Sequence, residues 1–242
     1  MLSEKPWKLE SVARLFLGVL ICIMAGSVSM QWLHPAGKSA GAAVSLLNVV
    51  VAVASFQGAA LVLVWFFLRW HGIGPKDAFG FTNGWRRALL LGACGTVVFF
   101  PIGQTLQIAA NKLMTLLNQS SGEQSAVQAL HQVHGWQEQT VMIIIAAIIV
   151  PLAEEMLFRG VLYPLVKQLG YPRFAYIGVS ALFAAIHFNL EIFPALFVLA
   201  LLLTWLYEYT NNLLTCIVTH SLFNAINIAL FYIIESKPAA HP

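Results

Sequence analysis

Residues 143–159 read IIIAAIIVPLAEEMLFR: eight apolar residues, a proline, and then two carboxylates and a guanidinium within the same run. Continued through the residues on either side, the stretch reaches the roughly 20 mostly apolar residues that an α-helix needs to cross a bilayer. The charges do not suit such a helix. On insertion scales each costs about 2.5–3.5 kcal/mol at the bilayer centre, so three would cost about 7–10 kcal/mol before pairing. A helix carries that load only if the groups face a bundle interior and find partners there. The stretch therefore predicts an all-α, polytopic transmembrane helical bundle with a polar centre inside it.

The rest of the chain agrees. Of its 242 residues 59% are hydrophobic and 10% charged, and the mean hydropathy is +0.78. Soluble domains carry about 25% charged residues, and a soluble fold of this size has too little interior for so much apolar surface. Seven candidate spans follow one another, at about 12–33, 45–68, 87–117, 140–166, 172–188, 191–208 and 213–234. They form one integral-membrane domain, 1–242, with residues 140–234 as its catalytic-motif core. Lys5, Lys8 and Arg14 before the first apolar run imitate a signal peptide, but the run is longer than a typical signal core and reads as an uncleaved helix. Ten basic residues (Lys5, Lys8, Arg14, Arg69, Lys76, Arg86, Arg87, Arg159, Lys167 and Arg173) fall on one side of this scheme, against Lys38, Lys112 and Lys237 on the other. Basic loops stay inside, so the N-terminus is expected in the cytoplasm, with the protein in a bacterial inner membrane. No basic stripe suggests nucleic-acid binding. Membrane lipids are the expected surroundings.

Smaller signals carry less. Cys22, Cys94 and Cys216 are odd in number and lie in apolar segments, so they read as small core residues rather than a disulfide framework. Trp65, Trp70, Trp85, Trp136, Trp205 and Tyr207 fall near helix ends and fit an interfacial belt. Glu191 and Glu208 flank the sixth span as interfacial residues. In the polar insertion Asn118–Gln139, Val127, Leu130, Val133 and Trp136 recur every third residue, which fits a surface helix or a solvated loop equally. His131 and His134 within it read as a solvated pair.

Three features concentrate the chemistry. Glu155 and Arg159 are four apart on one helix face and can pair, whereas Glu154 is turned about 100° away and remains available. Pro151, one turn earlier, removes a backbone hydrogen bond and opens the helix there. His187 follows Phe183 by one turn in the short fifth segment, and Asn224 follows His220 by one turn in the seventh. Each has a plain structural reading: a packing pair, an interfacial histidine, an interhelical hydrogen bond. Together they leave one free Glu, two His and one Asn on three helices that a bundle can converge. A carboxylate in a desolvated pocket can take a proton from water, a His can hold that water, and a His and an Asn can donate to the oxyanion of a tetrahedral intermediate. No Gly-x-Ser-x-Gly elbow and no Ser or Cys nucleophile stands out.

In this order, Glu154-Glu155-x-x-x-Arg159, Phe183-x-x-x-His187 and His220-x-x-x-Asn224 resemble the three motifs of the CPBP family, the type II CAAX prenyl endopeptidases and bacteriocin-processing relatives also called the Abi family. The resemblance spans residues 154–224 and implies a glutamate-dependent intramembrane endopeptidase. Its substrate would be a protein or peptide in or at the membrane, with or without a lipid anchor. By the same resemblance Glu154 activates water, His187 assists, His220 and Asn224 bind the oxyanion, and Glu155 and Arg159 support. No cofactor is expected. The alternative is zinc held by Glu154, His187 and His220, for which the H-E-x-x-H pattern is lacking. Family members of the prenyl-processing type have eight spans, one more than are counted here. Two other readings remain at this point. Intramembrane Glu and His also serve proton-coupled transporters, although no internal repeat is present, and a non-catalytic membrane immunity factor could keep the same scaffold.

Overall fold

A computed structural model describes residues 2–33, 46–82, 84–119 and 135–235. Among these the regular structure is all helix, with eight helices: α1 (Leu9–Leu33), α2 (Asn48–Trp70), α3 (Pro75–Phe79), α4 (Trp85–Leu116), α5 (Trp136–Gln168), α6 (Pro172–Ala185), α7 (Phe193–Thr210) and α8 (Leu213–Glu235). Six of them (α1, α2, α4, α5, α7 and α8) are long and apolar enough to cross a membrane. The remaining predicted segment is α6. Its 14 residues rise about 21 Å, less than the ~30 Å hydrocarbon core, and it packs against α7 and the end of α5. The expected bundle of about seven membrane helices is thus built, with one of them short. Of the polar insertion, residues 120–134 lie outside the described residues, His131 and His134 included, while Trp136 opens α5.

The bundle closes by small residues and buried hydroxyls rather than by apolar contrast, since lipid is as apolar as leucine. Along α4, Gly92 lets α8 come so near that a Cβ at that position would stand 2.8 Å from Val218 Cβ. The hydroxyl of Thr219 donates to Gly92 O at 3.0 Å and that of Thr96 donates to Thr219 O at 3.1 Å. Further along, Gln104 Nε2 donates to Asn227 Oδ1 at 2.8 Å. These contacts tie α4 and α8 into a pair against which α7 and α5 pack.

Residues 2–8 run as a strap beneath one end of the bundle. The indole of Trp7 is buried and donates to Gly160 O at 3.0 Å, and its ring packs on Phe67 and His71. The amide of Leu2 donates to Glu208 Oε2, and the amide of Ser3 to Asn211 Oδ1. Tyr163 and Lys167 donate to the other oxygen of Glu208. Glu208, expected as an interfacial residue, is therefore a junction between the strap, α5 and α7. Two other expectations also change. Tyr207 is fully buried in the core rather than in an aromatic belt, and of the three cysteines Cys216 alone is buried, Cys94 being exposed on the outer surface of α4.

Candidate active site

Where α5, α6, α7 and α8 meet, their polar side chains form one cluster. α5 supplies Glu154, Glu155 and Arg159, all buried. Two wide turns, hydrogen-bonded five residues back, flank the glutamates at Ile145–Ile149 and Met156–Leu162. Such insertions often mark functional positions, and the first falls where Pro151 cannot donate to the preceding turn. Sequence reasoning expects an opened helix at Pro151, and the widened turn is the form it takes.

The pair expected from the four-residue spacing is present, with Arg159 Nη1 donating to Glu155 Oε1 at 3.0 Å. The same oxygen meets His220 Nδ1 from α8 at 2.9 Å. Because Glu155 Oε1 can only accept when ionised, Nδ1 of His220 carries the proton there. Its other nitrogen, Nε2, is thereby turned toward Glu154 and lies 4.0 Å from Oε2. That Oε2 atom is buried and has no hydrogen-bond partner. Arg159 is held a second time by Ala200 O of α7, at 3.3 Å from Nη2. Charge-assisted bonds of this kind are the strong ones, and here they span three helices.

Phe183 underlies the cluster. The guanidinium of Arg159 lies 4.3 Å from its ring centroid, a cation–π contact. The rings of Phe158, His220 and His187 each stand edge-on or tilted to it, at 5.3, 5.8 and 5.2 Å. His187 is fixed differently, its Nδ1 bonding to Phe183 O at 2.8 Å just past the end of α6. A carbonyl only accepts, so Nδ1 is the protonated nitrogen and Nε2 is left as an acceptor. Asn224, one turn beyond His220, directs its amide to Ala146 O of α5 at 2.9 Å.

The structure thus brings together Glu154, Glu155, Arg159, Phe183, His187 and His220, with Asn224 on the adjoining turn. Arg159, which the charge count sets among the inside basic residues and the four-residue spacing pairs with Glu155, is a core residue. It is fully buried, nine residues from the end of α5, about 13 Å along the helix. Sequence reasoning misses Trp7 and Glu208, whose partners lie 153 and 206 residues away in the chain; no local pattern encodes either. Among the described residues no three His, Cys, Asp or Glu side chains group as ligands for a metal ion.

The segment that carries this cluster has known counterparts. Residues 136–226 match the family model described as type II CAAX prenyl endopeptidase Rce1-like. The Rce1-like segment comprises α5, α6, α7 and most of α8, and so includes every residue of the cluster. The resemblance drawn from the three motifs is borne out over this region. A stretch of 82 residues is also 35% identical to the UPF0177 protein YxdF of Lactococcus lactis subsp. lactis (strain IL1403), covering 33% of this chain and 44% of that protein. The chain thus matches less than half the length of this curated relative. No solved structure matches it. An integral membrane protein with an Rce1-like segment at its core is what fold and comparison establish.

Proposed function

We propose that this protein is an intramembrane endopeptidase that hydrolyses a peptide bond of a membrane-associated protein or peptide with water activated by Glu154. The observation that carries the reading is the asymmetry between the two glutamates. Glu155 accepts charge-assisted bonds from Arg159 and His220 through Oε1, whereas Glu154 accepts none; Oε2 of each is buried without a partner. A carboxylate kept out of water with a free lone pair is a base waiting for a proton.

In this mechanism Glu154 takes a proton from water, and His187 Nε2 accepts the water's other hydrogen bond. The hydroxide adds to the scissile carbonyl carbon. His220 Nε2 and the free N–H of the Asn224 amide donate to the oxyanion that forms. For His220 to donate from Nε2 while Nδ1–H stays on Glu155, the ring must be an imidazolium. In the resting site Glu154 and Glu155, one on each side of the ring, are its counter-charges; once Glu154 holds the water's proton, the oxyanion takes its place. As the intermediate collapses, Glu154 returns its proton to the leaving amine. The protein's own groups balance every proton, and the reading uses no metal. The Rce1-like match supports a CAAX-type substrate, lipidated or not, and the relative's source supports a bacterial origin for the membrane. The basic residues ahead of the first apolar run support an N-terminus in the cytoplasm.

The test is a cleavage assay in proteoliposomes on CAAX-type peptides with and without a prenyl group, comparing wild type with Glu154→Ala. Loss of cleavage is expected; persistence would overturn the mechanism. A strong chelator added to the wild type should leave the rate unchanged.

A further inference from the structure

The widened turn before Glu154 is completed by a different helix. Val150 N–H donates five residues back, to Ile145 O. The next bond in that series would run from residue 151 to Ala146 O, but residue 151 is proline and has no N–H. Ala146 O is nonetheless partnered, by Asn224 Nδ2 at 2.9 Å. Its surroundings are largely apolar, since Ala146 packs against the buried pair Met142 and Ile228. A carbonyl left bare in such a place would cost more than the bond itself contributes.

We infer that Asn224 is a positioning residue that takes the place of the backbone donor missing at Pro151, and so fixes the turn that presents Glu154. Proline opens α5, and the asparagine of α8 closes the opened carbonyl from outside. Because His220 is one turn away on α8, the same helix clamps α5 on both sides of Glu154, at Ala146 and at Glu155. One N–H of the amide is used in this way and the other remains. That the fixed turn serves hydrolysis rests on the protease reading; the hydrogen-bond replacement does not.

The experiment is therefore independent of any substrate. Thermal unfolding of the full chain in one detergent is compared for wild type, Asn224→Ala, Pro151→Ala and the double variant. Asn224→Ala should lower the midpoint by several degrees in the proline background. In the Pro151→Ala background the drop should largely vanish, because the substitution restores a backbone N–H that serves Ala146 O. Equal drops in the two backgrounds would overturn the proposal. Hydrogen exchange on Asn224→Ala alone provides a local readout, should Pro151→Ala fail to fold. Exchange at Leu152 and Ala153 is expected to quicken by at least about tenfold while α7 is unchanged. A uniform change across helices, or none, would count against it.

Discussion

His220 Nδ1 and Glu155 Oε1 stand 2.9 Å apart across two helices, and that contact decides which face of the imidazole looks at Glu154. The same oxygen holds Arg159 at 3.0 Å. One carboxylate atom thus neutralises a buried cation and orients a ring. Removing the guanidinium should therefore be worse than removing the pair. Arg159→Met strands a buried carboxylate and is expected to destabilise by about 3–5 kcal/mol, whereas Arg159→Met with Glu155→Leu should cost clearly less. Chemical unfolding in detergent measures both, and a double variant no more stable than the single would contradict this account.

Glu154→Gln keeps the shape of the side chain and removes its basicity. Cleavage should fall by about 10²–10⁴-fold, the usual scale of general-base catalysis. Thermal stability should be unchanged or higher, since a buried carboxylate oxygen without a partner is replaced by a neutral amide. A variant that loses activity only because it unfolds would show both falling together.

Gly160 lies under Phe79, and a Cβ there would meet the Phe79 ring at 2.5 Å. Gly160→Ala should cost about 1–3 kcal/mol by overpacking, at a turn that also carries Arg159. Phe79→Leu should restore much of that loss if crowding is the cause. If the second substitution adds to the first instead, the crowding explanation is wrong. Gly80 is stricter: at φ +72 its Cβ would stand 2.0 Å from Asn211 O, a backbone atom that cannot swing away.

Trp7→Phe retains an aromatic ring against Phe67 and His71 but loses the donor to Gly160 O. A loss of about 1 kcal/mol is expected, readable as a lower unfolding midpoint. No change would mean that the indole N–H is not what seats the strap.

Local pattern accounts for what the sequence reveals here. Apolar runs of span length give the membrane helices, because helix geometry and bilayer thickness set their size. Four-residue spacing gives the Glu155–Arg159 pair and puts Phe183 with His187 and His220 with Asn224. What escapes is whatever depends on contact between distant segments. Nothing in the neighbourhood of Trp7 or Glu208 announces a partner in a distant segment. The spacing pairs Arg159 with Glu155 but gives no sign of Phe183 and Ala200 O, which also receive it in the core. The amide of Asn224 could be assigned to Ala146 only once the widened turn was visible.

The strap has a consequence for biogenesis. Residues 2–8 leave the ribosome long before Glu208 and Asn211 exist, so Leu2 and Ser3 have no docking partners until the end of α7 has been made. A segment synthesised ahead of α1–α8 is thus among the last of these to settle. Its docking closes the end of the bundle only after the helices that carry the glutamates and His187 are already in the membrane.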